Sequence, residues 1–164
     1  MRKILIFGNS GSGKSTLAQR LSRESNLPHL DLDTLAWLPW DPAGDTPPQR
    51  MPPEESLAAM QAFTAGSEGW VIEGCYADLL ERMLPHATEI VFMNLPAEAC
   101  VANARLRPWE PHKYPSKEAQ DANLPMLIEW IRQYDERTDT FSRAAHQALY
   151  DAFAGHKSMR TSNL

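Results

Sequence analysis

The octapeptide Gly8-Asn9-Ser10-Gly11-Ser12-Gly13-Lys14-Ser15 matches G-x-x-x-x-G-K-[ST] in full. Glycines at this spacing let successive backbone N–H groups turn inward as an anion nest, and a helix starting at the end of the run adds its partial positive charge. Lys14 is placed to neutralise β and γ phosphates, and the Ser15 hydroxyl to enter a magnesium shell. Gly8, Asn9, Ser10, Gly11, Ser12, Gly13, Lys14, Ser15 and Thr16 therefore form the expected binding loop for a nucleoside triphosphate with Mg2+. The spacing is not G-x-G-x-x-G, which argues against a dinucleotide site.

Three acids follow at positions where chemistry on a phosphate would use them. Asp31 and Asp33 lie two apart after a short apolar pair, and Glu73 closes the run Trp70-Val71-Ile72. In an extended segment, residues two apart share one side. Such acids either order magnesium through water, or accept the proton of an attacking hydroxyl, or cap a turn near Thr34. The residues leave open which of Asp31, Asp33 and Glu73 faces a metal beside Ser15 and which faces an acceptor. Arg105 and Arg107 precede a second proline-rich stretch that carries Trp109, His112, Lys113 and Lys117. Arginines that close over a transferring phosphoryl group stabilise its charge, and cations at a helix C-terminus also suit the helix dipole. Asn94 either contacts the site or fixes a turn. Arg132 with Glu136, and Arg143 with Asp139, read as surface pairs at helical spacing. Trp37 and Trp40 either stack on a planar ligand or pack their loop onto the core.

Strands and helices alternate around these residues. Lys3 to Phe7, His29 to Asp31, Trp70 to Glu73 and Ile90 to Met93 read as strands; no clear fifth follows Gly155, where Lys157 to Thr161 is the only candidate. Helices are predicted from Lys14, from Pro53 (with Glu54 and Glu55 in its first turn), over Leu79–Leu84, over 96–106, from Leu124, and over 141–153 with Gly155 as C-cap. Pro39 to Pro53 is a loop. This pattern is the signature of an α/β fold: three layers, α/β/α, around a parallel sheet of four to five strands. In such sheets ligands bind beyond the carboxyl ends of the strands, where the glycine loop and the three acids fall.

The chain has 164 residues, a length that fits a single domain over 1–164 with no need of disulfide staples. Residues 49–67 are expected to bind the acceptor and 108–123 to form a lid loop. The net charge of -5 gives no reason to expect nucleic acid as a partner, and no helix-turn-helix or basic stripe is visible. Cys75 and Cys100 have no CxxC spacing and read as reduced thiols of a cytoplasmic protein. The N-terminal apolar run is too short for a signal-peptide core, and no stretch reaches membrane-spanning length, so no membrane association is expected.

Gly8 to Ser15, His29-Leu30-Asp31-Leu32-Asp33, the Trp70 to Tyr76 strand and Glu89 to Pro96 occur in the order seen in P-loop kinases of the adenylate kinase and shikimate kinase group. The chain most resembles the adenylate-kinase-related proteins labelled FlaR-like or "DNA topology modulation", which share a D-x-D-x-x-x-W stretch (here Asp31 to Trp37). The resemblance covers the first two-thirds of the chain well and the remainder loosely. It implies a P-loop NTPase fold, with Lys14 and Ser15 on triphosphate and magnesium. Asp31 or Glu73 would stand behind the metal, Asp33 at the acceptor, and Arg105 and Arg107 where lid arginines begin. The chain departs from adenylate kinases after its third strand, where Cys75, Tyr76 and Ala77 stand in place of the arginine that grips a monophosphate. The glycine–glycine pair of shikimate binding is also missing.

The expected function is Mg-dependent transfer of the ATP γ-phosphoryl group to a small-molecule or nucleotide acceptor that the sequence does not name. Lys14, Asp33, Arg105 and Arg107 would carry the catalysis. ATP is expected over GTP, because no N-K-x-D motif reads guanine. The competing reading is a nucleotide-binding regulatory or assembly protein with weak ATPase activity. The residues leave the oligomeric state open.

Overall fold

The computed structural model describes residues 1–40 and 46–164. The central part of the expected Pro39–Pro53 loop, 41–45, lies outside the described residues. Five strands form one sheet: β1 (Lys3–Gly8), β2 (His29–Asp31), β3 (Trp70–Gly74), β4 (Glu89–Met93) and β5 (His156–Arg160). Their order is β2-β3-β1-β4-β5, and every pairing is parallel. The fifth-strand candidate at the C-terminal end is thus a strand, on the outer side of β4.

Side-chain alternation along the strands divides the core in two. Leu5 and Phe7 of β1, Ile72 of β3 and Phe92 of β4 meet Leu32, Met60, Leu80 and Leu149 on one face. Ile4, Ile6, Val71, Val91 and Met93 meet Leu17, Val101 and Ile131 on the other. The first face is covered by α2 (Pro53–Ala65), α3 (Ala77–Met83) and α6 (Arg143–Ala152). The second is covered by α1 (Lys14–Ser25), α4 (Ala97–Leu106) and α5 (Lys117–Arg132). The central strands are apolar on both sides because both are buried. Phe7 and Phe92 stack with ring centroids 5.4 Å apart, and truncating either to Ala would cost about 3–5 kcal/mol.

Register places the acids. Asp31 pairs with Glu73, Glu73 with Ile6, and Gly8 with Met93. Asp31 and Glu73 therefore stand level with Ile6, two residues before the end of β1, at the carboxyl end of the sheet.

Several local expectations are corrected. Helix α5 begins at Lys117 rather than at Leu124, so part of the expected 108–123 loop is helical. Ser116 caps it, accepting from the Ala119 N–H at 3.1 Å, and Pro125 is accommodated inside the helix. Gly155 does not cap α6, which ends through Phe153 in an extended conformation. Gly155 instead leaves room for the Phe153 ring, which a Cβ would approach to 2.7 Å. Arg132 pairs with Glu98 of α4 at 2.9 Å, not with Glu136, and Arg143 pairs with Asp135, not with Asp139. The Asn94 side chain accepts from Arg143 while its backbone N–H donates to Arg160 O at 2.7 Å, so Asn94 joins the ends of β4 and β5 to α6. No helix among the described residues is long and apolar enough to cross a membrane.

Candidate active site

The loop between β1 and α1 wraps the carboxyl end of β1. Gly13 sits just before α1 with φ 90°, a left-handed conformation suited to glycine. Gly11 has φ 77°, and a Cβ there would lie 2.4 Å from the Cys100 carbonyl oxygen, so α4 packs directly on the loop backbone. Two asparagines tie the loop from outside. Asn103 of α4 donates to Gly11 O at 2.8 Å, and Asn163, beyond β5, donates to Ser12 O at 3.1 Å. Asn103 also donates to the Asn163 side-chain oxygen at 2.8 Å. The Lys14 ammonium donates to Asn9 O at 2.7 Å, folded over the nest it would share with a phosphate.

The Ser15 hydroxyl donates to Glu73, 2.8 Å from Oε1. Glu73 is 1% exposed. No lysine or arginine among the described residues pairs with it; His29 Nε2, at 3.8 Å, is its nearest titratable nitrogen. A buried carboxylate without a fixed cation is costly, and a divalent ion beside Ser15 would relieve that cost. The donors here, Ser15, Glu73 and the neighbouring Asp31, are all hard oxygens, as Mg2+ requires. No group of three or more His, Cys, Asp or Glu among the described residues forms an all-protein metal cage. Magnesium is usually held by one or two carboxylates together with water and phosphate oxygens.

Asp31 and Asp33 end β2 and enter the 3-10 turn Leu32–Thr34, where Asp31 accepts from the Asp33 N–H at 2.9 Å. Both roles foreseen for Asp31, capping a turn and facing the cleft, therefore coexist. Burial, with Asp33 and Glu73 close by, raises the Asp31 pKa. Asp33 is held below the usual carboxylate range: burial opposes its charge, but the Lys113 ammonium and the Tyr76 hydroxyl outweigh it. Lys113 lies 2.9 Å from Asp33 Oδ2 and 3.5 Å from Asp31 Oδ2. Tyr76 donates to Asp33 Oδ1, and the Trp37 indole N–H donates to the Tyr76 hydroxyl oxygen at 2.7 Å. Burial and the nearby Asp33 charge raise the Tyr76 pKa, so Tyr76 stays protonated and donating. Trp37 thus packs its loop and supports this chain of donors, and Trp40 donates to Thr46 O at 2.9 Å.

A cleft of about 750 Å3 runs between the glycine loop, the three acids and the segment 108–116. Arg107 lines it and pairs with Glu110 at 3.3 Å. Arg105 is exposed on α4 and does not line the cleft. None of residues 49–67 lines it either; the guanidinium carbon of Arg50 sits 4.9 Å from the Tyr76 ring centre. Cys75 lines the cleft with its thiol pushed up to about 12 by burial, and Cys100 is buried under the glycine loop. Asn103, Asn163, Tyr76 and Glu110 escaped the sequence reading. Tyr76 was visible only as a departure from a motif, and isolated asparagines carry no spacing signal.

Residues 4–124 match the family described as "AAA domain". "Uncharacterized protein YqaC" of Bacillus subtilis (strain 168) is 26% identical over 152 residues, covering 89% of this chain and 80% of that protein. A shikimate kinase of Flavobacterium johnsoniae is 54% identical over 33 residues, 20% of this chain and 19% of the kinase. Among solved structures, the shikimate kinase from Bacteroides thetaiotaomicron superposes with a TM-score of 0.47 at 19% identity, covering 92% of this chain and 97% of that one. A protein from Eubacterium ventriosum superposes with a TM-score of 0.47 at 15% identity, covering 99% and 91%.

Proposed function

The chain belongs to the AAA domain family, and we propose that it is an ATP-dependent phosphotransferase of the P-loop kinase kind, acting on a small-molecule acceptor. The observation that carries this reading is one cleft that holds both a phosphate cradle and a carboxylate for an acceptor. The glycine loop, Lys14 and the Ser15–Glu73 pair line it together with Asp33, which is held by Tyr76 and Lys113. Transfer to a hydroxyl uses both within reach of one another.

In this reading Gly8 to Thr16 cradle the triphosphate, and Lys14 moves from Asn9 O to the β and γ phosphates. Ser15 would hold Mg2+, with Asp31 and Glu73 beside it as further oxygen partners. When bound, that ion neutralises phosphate charge and fixes the orientation of the γ-phosphoryl group. Asp33 orients the acceptor hydroxyl and takes its proton. Arg107 and the 108–116 segment close the cleft as a lid and exclude water, and Arg105 reaches the phosphates only through movement of that lid. The 49–67 segment shapes the acceptor side through Arg50 and Tyr76. ATP is preferred over GTP, and the finer affinity is with the FlaR-like group. The test is ADP formation by the purified chain with Mg-ATP and a broad pool of metabolites and nucleotides. Binding of ATP with no ADP formed above the acceptor-free background would sink it.

One observation favours a second reading, a nucleotide-binding regulatory or assembly protein with weak ATPase activity. The acid that would meet an acceptor is already engaged by Lys113 and Tyr76. Cells carrying Lys14→Ala decide the matter when compared with a full deletion, since a partner role would survive the substitution.

A further inference from the structure

We infer that the phosphoryl acceptor is a hydroxyl compound carrying no anionic group, a neutral or cationic alcohol rather than a carboxylate or a monophosphate. The inference rests on the kinase reading and names its substrate class.

The acceptor side of the cleft is the wall between the ends of β2 and β3 and the 108–116 segment. Among the described residues Asp33 and Glu110 line it, with Asp31 and Glu73 beside them on the metal side. The two permanent cations on that wall are already engaged. Lys113 faces Asp33 at 2.9 Å, Asp31 at 3.5 Å and Glu110 at 3.6 Å, and Arg107 faces Glu110 at 3.3 Å. His112 also leans on Glu110, at 3.7 Å. The other cations lining the cleft, Lys14, Arg20 and Arg160, belong to α1 and β5, on the side of the glycine loop.

The 49–67 segment offers a single cation, Arg50, and it is sequestered. Its Nη2 lies 3.1 Å from Asp78, its Nε donates to Ala36 O at 3.2 Å, and its guanidinium rests against the Tyr76 ring. Residues 41–45 add Asp41 and Asp45 and no lysine, arginine or histidine.

Recognition of a carboxylate or phosphate calls for a free guanidinium, ammonium or backbone nest. On this wall both cations among the described residues are paired with carboxylates, and magnesium would be matched to the triphosphate it accompanies. An anionic acceptor would meet like charge without a partner. A hydroxyl meets the opposite situation. Each carboxylate oxygen offers two acceptor sites, so Asp33, holding Tyr76 on Oδ1 and Lys113 on Oδ2, keeps capacity for one more donor. In the transfer, the acceptor oxygen forms a bond to the γ phosphorus, and the bond from that phosphorus to the β–γ bridging oxygen breaks. ADP leaves with the electron pair, and the hydroxyl proton passes to Asp33 and then to solvent.

The experiment gives the full chain Mg-ATP with two separate pools. One holds neutral sugars, cyclitols, nucleosides and amino alcohols; the other holds hydroxy-carboxylates and nucleoside monophosphates. ADP release is read against the acceptor-free background. The expected result is acceptor-dependent ADP from the first pool, with the best neutral or cationic member exceeding every anionic one at least tenfold in kcat/KM. A best substrate from the second pool overturns the charge inference and leaves the kinase reading standing. No acceptor-dependent ADP from either pool overturns both.

Discussion

The Lys113 ammonium stands 2.9 Å from the Asp33 carboxylate, so the loop before α5 is tied by charge to the turn after β2. Eighty positions of sequence separate the two. The pair joins the closing segment to the acid that would meet the acceptor, and it sets the protonation of that acid. Lys113 is the leading favourable influence holding the Asp33 pKa down against burial. Replacing Lys113 with Ala therefore raises the Asp33 pKa, and Asp33 becomes protonated at a higher pH than in the parent chain. Carboxyl-carbon NMR titration of Asp33 in both proteins reads this directly. An unmoved midpoint would show that the ion pair has no hold on the acid.

Glu73 is expected to set the magnesium requirement. Its carboxylate accepts from Ser15 at 2.8 Å and lacks a lysine or arginine partner among the described residues. Glu73→Gln keeps the shape and removes the charge, and should weaken Mg2+ dependence of ATP binding by roughly 10- to 100-fold. Titration of magnesium at fixed ATP checks it. An unchanged midpoint would place the metal elsewhere.

Lys14→Ala should reduce acceptor-dependent ADP formation by roughly 10²- to 10³-fold, the scale of losing a preorganised charge on the transferring group. Circular dichroism should be unchanged, since among the described residues the Lys14 ammonium forms one hydrogen bond, to the Asn9 carbonyl, and no ion pair. Retention of full turnover would remove Lys14 from the mechanism.

His146 gives a pH-dependent stability. It is fully buried between Cys75 O (2.8 Å from Nε2) and the Tyr134 hydroxyl (2.6 Å from Nδ1). A carbonyl only accepts, so Nε2 carries the proton and Nδ1 accepts from Tyr134. Burial lowers the His146 pKa from 6.5 to about 4. Between those values the unfolded chain binds a proton that the folded chain refuses, so stability falls as pH falls from 6.5 towards 4, by about 3 kcal/mol at most. Urea denaturation across this window should show the loss in the parent chain. In His146→Leu, less stable at neutral pH, the slope should be much reduced. Equal slopes in the two proteins would contradict the assignment.

Asn103 and Asn163 brace the nucleotide loop through Gly11 O and Ser12 O. Each Asn→Ala substitution removes about 1 kcal/mol of hydrogen bonding and should weaken ATP binding roughly fivefold, with little effect on turnover at saturating ATP. Isothermal titration with ATP and magnesium measures it. A wild-type Kd in both variants would make the brace irrelevant to the nucleotide.

By itself the sequence determined what local chemistry dictates. The glycine spacing demanded an anion nest, and the apolar runs of Ile4 to Phe7 and Ile90 to Met93 demanded strands covered on both faces. The alternation with helices demanded a parallel sheet, and the acids at the strand ends followed from that topology. Tertiary structure alone decided which of these residues meet. Lys113 reaches Asp33, Tyr76 turns its hydroxyl onto the same acid, and Asn163 returns from beyond β5 to the glycine loop. Arg105 stays outside the cleft that Arg107 lines, and Arg50 is spent on Asp78 and aromatic rings. The physical reason is range. Backbone propensity and side-chain periodicity act over a few neighbouring residues and leave a readable pattern. Ion pairs and hydrogen bonds between distant segments depend on strand register and on how loops pack, and neither leaves a spacing in the chain.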